Sequence, residues 1–225
     1  MTLVLFDIDG TLIQSSFHIW KGLMAYYRVH HRKRGLHMAF LSTHYPLYGL
    51  RKAKLLSEHT FRMRWVVDLG WYLRGESVEA VEAVGKWIAE VYLAPAWRQE
   101  TLARLQAHLT AGDTVALVSA APRPLTEAIA HHVGVPHAIG TRFEVRDGHY
   151  TGRVVFPVAL SEQKTALARQ YFTTRGLSFD LQESRAYADS ITDLALLESV
   201  AHPVAVFPDK ALQRIATTRG WEIIN

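Results

Sequence analysis

Four apolar residues, Leu3–Phe6, run directly into Asp7-Ile8-Asp9-Gly10-Thr11, and no comparable apolar run returns until Thr114–Val118. That arrangement constrains the fold more than any other feature of the chain. A short run that is apolar at every position suits a strand covered on both faces, as in a parallel sheet between helices. In extended chain Asp7 and Asp9 point the same way, and Gly10 lets the backbone turn sharply straight afterwards. Two carboxylates gathered at a strand's carboxyl end raise each other's pKa unless a cation or a proton sits between them. That edge is also where open α/β sheets bind ligands. The bland alternative is a simple turn at Asp9-Gly10, with Asp7 capping a neighbour. A calcium loop fits poorly: the twelve-residue pattern starting at Asp7 needs glycine and glutamate where Leu12 and His18 stand.

Further strand-like runs lie at Arg185–Ala188 and Val204–Phe207. They alternate with amphipathic stretches at 123–133, 160–173, 192–199 and 209–218, the rhythm of a parallel sheet covered by helices. Arg142–Arg153, with Asp147-Gly148 at its centre, reads as a hairpin. Between the first two strands the periodicity is helical, as in Trp20-x-x-Leu23-Met24-x-x-Tyr27 and Val78-x-x-Val81-x-x-Val84. The simplest organisation is an α/β core, residues 1–13 and 106–225, interrupted by a helical insertion over 14–105. Charge follows the same division. The insertion carries 14 Lys/Arg against 7 Asp/Glu and the remainder 11 against 14, within a net charge of +4.

Composition excludes several classes. With no cysteine among 225 residues, a disulfide framework, thiolate zinc sites and a cysteine nucleophile are ruled out. The first residues lack the basic start of a signal peptide, and no uncharged apolar run reaches the roughly 18 residues of a membrane span. The chain is therefore expected to be cytoplasmic, without stable membrane insertion.

Three more signals follow the first. Arg185–Ala188 delivers Asp189 to a strand end, with Asp193 one helical turn further on. Oxygen ligands gathered from two strand ends suit Mg²⁺, although Asp189 alone also reads as a helix N-cap. The strand Thr114–Val118 delivers Ser119 and Ala120 to the same edge, where a hydroxyl and free N–H groups at a helix start form an anion site. Lys164 stands near the start of a later helix, where the dipole disfavours a cation and a phosphate would favour one.

The order Asp-x-Asp-Gly-Thr, strand-end Ser, helical Lys and Asp-Ser-x-x-Asp resembles the haloacid dehalogenase superfamily of phosphatases, over essentially the whole chain. The strings Phe6–Leu12 and Ala186–Leu197 carry the resemblance. Ile139-Gly140-Thr141, Asp147–Gly152 and Val204–Asp209 are similar to the phosphoserine-phosphatase-like branch. The resemblance implies a Rossmann-like doubly wound parallel sheet with a helical cap inserted after the first strand. It implies Asp7 as nucleophile and Asp9 as general acid and base. It also implies Mg²⁺ held by Asp7, the Asp9 carbonyl, Asp189 and Asp193, with Ser119, Ala120 and Lys164 holding the phosphoryl oxygens. Thr11 is expected to fix the loop. Three departures stand out: Ala188 replaces glycine or serine, Phe207 replaces asparagine, and Ser16 stands where phosphoserine phosphatases carry an acidic residue.

The insertion is the hardest part to read. Its basic run, Arg28 to Arg34 and then Arg51, Lys52 and Lys54, reads as solvated helix ends, as a mouth for an anionic ester or as attraction to anionic headgroups. In the last case Trp20, Trp65, Trp71 and Tyr72 would supply an interfacial face; otherwise they are the cap's own core. The histidines at 18, 30, 31, 37, 44 and 59 lack the spacing of a helical metal pair. Arg62 and Arg64 are candidates to meet a second anion of the substrate. The expected activity is Mg²⁺-dependent hydrolysis of a small phosphorylated metabolite, such as a phosphorylated amino alcohol (histidinol phosphate, for instance) or a phosphoserine-like ester, through an aspartyl-phosphate. The alternatives are transfer to an acceptor other than water, or a silent binding module of the same fold. Nucleic acid is not expected as a partner, and the chain is expected to be a monomer or homodimer.

Overall fold

The computed structural model describes residues 2–15, 18–179 and 182–225. The apolar run forms strand β1, Leu3–Phe6, buried along its length. Helices follow before the chain returns to the sheet: α1 (Ile19–Val29), α2 (Arg34–Lys52), α3 (Glu58–Asp68), the single turn α4 (Gly70–Leu73), α5 (Val78–Trp87) and α6 (Gln99–Thr110). Side chains mark two of these starts. Ser57 Oγ accepts the Thr60 N–H at 3.0 Å to open α3, and Ser77 Oγ accepts the Ala80 N–H at 3.2 Å to open α5.

The chain then alternates: β2 (Thr114–Pro122), α7 (Arg123–His132), β3 (His137–Arg146), β4 (His149–Val155), α8 (Glu162–Thr173), β5 (Arg185–Ala188), α9 (Leu194–Leu197), β6 (His202–Val206), α10 (Lys210–Arg219) and β7 (Glu222–Ile224). Seven strands form one sheet in the order β4-β3-β2-β1-β5-β6-β7. All neighbours are parallel except β3 and β4. The expected hairpin is that antiparallel pair, turned by Asp147 and Gly148 at φ 49° and 74°. Strand order runs outward both ways from β1, so the sheet is doubly wound and its switch point lies between β1 and β5.

Alternate residues of each strand feed two apolar layers. Leu3 and Leu5 pack with Ala116, Ala186, Phe172 and Leu212 on one face. Val4 and Phe6 pack with Leu117, Tyr187, Leu125 and Ile129 on the other. This second cluster continues without a break into Leu23, Tyr27, Phe40 and Tyr72 of the inserted helices. The aromatics in question turn inward. Trp20 and Trp65 meet edge-on at 4.8 Å, and Phe40 meets Trp65 at 5.2 Å and Trp71 at 5.9 Å. They are the cap's core and not an outward interfacial face.

The structure also revises the basic run. Arg32 and Lys33 grip the buried Glu76 at 2.9 and 2.8 Å, so they tie α1's end to the loop before α5. The expected end of the insertion at residue 105 falls inside α6, a helix that packs on β2. Among the described residues, no helix is long and apolar enough to cross a membrane.

Candidate active site

Parallel register sets the site. Phe6 pairs with Leu117 on one side and Tyr187 on the other, so Asp7 and Asp189 leave the sheet at one edge, beside Ser119 in the longer β2. The Asp7 N–H donates to the Tyr187 carbonyl at 2.9 Å, which continues the β1–β5 pairing one residue further. Gly10, at φ 90°, makes the turn after Asp9. A Cβ on Gly10 would fall 1.9 Å from Asp189 Oδ2, so only glycine lets the two loops close on each other.

Asp7, Asp189 and Asp193 each bring a carboxylate oxygen within 4.8 Å of the others. Lys164, which is buried, reaches into this group from α8, with Nζ 2.6 Å from Asp7 Oδ1 and 2.7 Å from Asp193 Oδ1. These two carboxylates offset the unfavourable helix dipole at the lysine. Burial pushes Asp7 up to about 7, with Lys164 opposing and Asp193 adding to the shift. Burial pushes Asp189 up to about 8, helped by the charges of Asp7 and Asp193. Burial works against the Lys164 charge, yet Asp193 and Asp7 outweigh it and raise its pKa. Three carboxylates, two of them buried and Asp189 half-buried, against one ammonium leave a surplus of negative charge when ionised. A set of hard oxygen donors with such a surplus fits a small divalent cation, Mg²⁺ among them.

Asp9 stands just outside the cluster. Its Oδ1 accepts the Ile19 N–H at 2.9 Å, and His18 Nδ1 lies 3.6 Å away. Thr11 is fully buried, and its Oγ1 donates to Asp7 Oδ2 at 3.4 Å, in keeping with a role in fixing the loop. Ser119 is buried and its Oγ accepts the Ala121 N–H at 3.1 Å. Ala120 packs against the small cluster of Val66, Val158 and Leu160, and its carbonyl accepts from Thr141 Oγ1 at 2.7 Å.

The two cap arginines part company. Arg62 Nη1 donates to Thr192 Oγ1 at 3.3 Å while its Nε holds Glu58. Burial lowers its pKa, but Glu58, Asp193 and Asp189 raise it by more. Arg64 instead holds Asp68 at 2.6 Å, beside His44 at 3.2 Å. Arg64 is exposed and pairs with the buried Asp68, so it is not brought to the carboxylate cluster. Ser16 lies outside the described residues.

Three neighbours were not assigned roles from the sequence. His18 carries no motif of its own. Arg98 donates from Nε to the Gly10 carbonyl at 3.1 Å and lies over the Phe207 ring at 3.7 Å. Phe207, in place of asparagine, thus stacks against the guanidinium that holds the Gly10 carbonyl. Asp209 accepts from Ser190 Oγ at 3.0 Å and the Ile191 N–H at 2.9 Å while capping α10. Only Asp209 left a signal, an Asp immediately before an amphipathic stretch.

Comparison with known proteins agrees with this geometry. A family profile described as haloacid dehalogenase-like hydrolase matches residues 4–198. Phosphoserine phosphatase SerB1 of Mycobacterium tuberculosis is 32% identical over 220 residues, covering 97% of this chain and 68% of that protein. A histidinol-phosphatase of Neisseria meningitidis is 29% identical, covering 99% and 98%. A solved structure from Bordetella pertussis Tohama I, of a protein with unknown function, matches with a TM-score of 0.82 at 29% identity over 100% and 99% of the two chains. A phospho-aspartyl intermediate analogue of phosphoserine phosphatase matches in fold, with a TM-score of 0.62 at 20% identity over 99% and 92%. The chain belongs to the haloacid dehalogenase-like hydrolases and is an enzyme of that family.

Proposed function

We propose that this hydrolase is a Mg²⁺-dependent phosphomonoesterase acting on a small phosphorylated metabolite. The observation that carries the reading is the cluster of Asp7, Asp189, Asp193 and Lys164, all but Asp189 buried, at the switch point of the sheet. A silent module has no use for clustered carboxylates of which two, Asp7 and Asp189, have their ionisation opposed by burial.

A carboxylate oxygen of Asp7 attacks phosphorus in line while the bond from phosphorus to the ester oxygen breaks, giving an aspartyl-phosphate. Asp9 gives its proton to the departing alkoxide. It then takes a proton from the water that attacks phosphorus, which releases inorganic phosphate and restores Asp7. Ser119, the Ala120 N–H and Lys164 hold the phosphoryl oxygens. The ion would be held by Asp7, the Asp9 carbonyl and Asp189, with Asp193 in or just behind its shell. When bound it neutralises the repulsion between carboxylate and phosphate. Residues 14–105 act as the cap that chooses the leaving group, and Arg62 faces a second anionic group of the substrate.

Relatives named phosphoserine phosphatase and histidinol-phosphatase support a substrate among phosphorylated amino acids and amino alcohols. Ser16, in place of an acidic residue, weighs against phosphoserine itself. The cysteine-free chain fits a reducing cytoplasm. The test is hydrolysis of an aryl phosphate with and without Mg²⁺. Wild-type turnover should require the ion, and Asp7→Asn should lose on the order of a thousandfold or more in kcat. Equal rates for the two proteins would remove Asp7 as nucleophile.

A further inference from the structure

Helix α2 is held to the protein by very little. Of its 19 residues only Phe40 and His44 are buried, and it packs mainly on α3, with a lighter contact to α1. Leu36 and His37 are half-buried on the same side, His37 with Nδ1 2.9 Å from the Tyr72 hydroxyl, and the opposite, outward face is not polar. Met38, Leu41, Tyr45 and Tyr48 follow at intervals of three, four and three residues, so they share one side of the helix. Met38 is 67% exposed and Tyr45 69% exposed, and Leu55, just beyond the helix end, is 75% exposed. Cations stand at both ends of this stripe. Arg34 opens the helix, Lys52 closes it with Nζ 5.1 Å from the Tyr48 ring, and the exposed Lys54 follows.

The segment that carries the stripe has charge of one sign, and Glu58 of α3, which meets Arg51 at 2.8 Å, lies just beyond it. Between Asp9 and Glu58 there is no Asp or Glu, whereas eight Lys or Arg are present. Against a second copy, the stripe would set cations on cations with no carboxylate from this segment to meet them. The stripe is also a projecting helix face and not a groove, so a soft, deformable surface suits it better than a rigid protein. An amphipathic helix with apolar and tyrosine side chains between terminal cations is suited to lie in the plane of a bilayer interface. At 1.5 Å per residue, α2 presents about 28 Å of such contact.

We propose that the outer face of α2 docks the protein peripherally on an anionic lipid bilayer. Met38, Tyr45 and Tyr48 enter the headgroup boundary, and Arg34, Lys52 and Lys54 meet the lipid phosphates. The face is distinct from the aromatics Trp20, Trp65 and Trp71, which pack inside the cap. It is also independent of the phosphatase reading, because binding is measured without turnover.

The experiment is flotation of the full chain with vesicles of phosphatidylcholine alone, or of equal parts phosphatidylcholine and phosphatidylglycerol. Wild type should float with the anionic vesicles only, and the bound fraction should fall several-fold in about 0.5 M NaCl. Met38→Glu/Tyr45→Glu should lose most of the binding, and so should Arg34→Ser/Lys52→Ser, which keeps the apolar stripe. Both variants should keep the wild-type thermal midpoint, since every substituted side chain is exposed. Three results would overturn the proposal: wild type that floats with neither vesicle, equal binding to both, or variants that float like wild type. A lipid-free wild-type dimer that Met38→Glu/Tyr45→Glu makes monomeric would overturn it too, by assigning the face to a second copy.

Discussion

Lys164 shows how one side chain can set the state of a whole site. Its ammonium is shared between Asp7 and Asp193, which leaves Asp189 to carry its charge among like charges. Without a divalent cation, Asp7 and Asp189 keep protons that the unfolded chain releases near pH 4. The stability this contributes is complete at low pH and is lost as pH rises through about 7 and about 8. A bound cation favours the ionised carboxylates and offsets that loss. Mg²⁺ should therefore raise the thermal midpoint more at about pH 8.5 than at about pH 6; equal shifts would contradict this. Arg62→Ala should raise KM for an ester with a second anionic group by about tenfold, whereas Arg64→Ala should leave KM unchanged and lower stability. If Arg64→Ala raises KM and Arg62→Ala does not, the assignment reverses. The carboxylates were legible in the sequence because each is fixed by the strand that immediately precedes it. The arginine pair was not, although residues two apart on a helix point about 200° apart, so they could not both face the site. His18 and Arg98 are placed only by contacts between distant segments, and no local pattern reports those.

At the scale of elements, the loop from Asp189 to Asp193 is held by α10. Asp209 caps that helix through the Ala211 and Leu212 N–H groups and, with its other oxygen, accepts from Ser190 and Ile191. Asp209→Ala should lower stability by about 1–2 kcal/mol, the cost of a lost cap. It should also weaken Mg²⁺ activation by roughly 10–100-fold, as expected for a residue that orients a ligand loop. Urea unfolding and the Mg²⁺ dependence of turnover measure the two effects; an unchanged Mg²⁺ requirement would reduce Asp209 to a cap. Element type was readable where apolar runs or helical periodicity were long. It was less readable at β7, three residues at the sheet edge, and at the start of β3, where His137–Thr141 borrows its strand character from pairing with β2. Helix α9 keeps only Leu194–Leu197 of the stretch expected to be helical, because a 3₁₀ turn over Ile191–Asp193 aims Asp193 into the cluster.

Over the whole molecule, the mean charge of +4 conceals a basic insertion on a mildly acidic core. If the insertion steers dianionic esters, kcat/KM should fall several-fold between about 0.02 and 0.5 M salt, with kcat nearly constant. A salt-independent kcat/KM would show that the cap's cations act only within its own structure, as Arg32 and Lys33 do on Glu76.

The register of the central strands has a kinetic consequence. Leu3 pairs with Thr114, so the first strand made must wait for roughly 110 further residues before its neighbour exists, and closing so long a loop carries an entropic cost. Helices α1 to α3 pack mainly within the insertion and can form on the nascent chain before the sheet nucleates, whereas α4 and α5 also pack on β4 and α7. The cap's half of the continuous apolar cluster is then present first, and it offers β1 and β2 a surface on which to meet. Truncations that shorten the cap should therefore slow the pairing of strands they never touch.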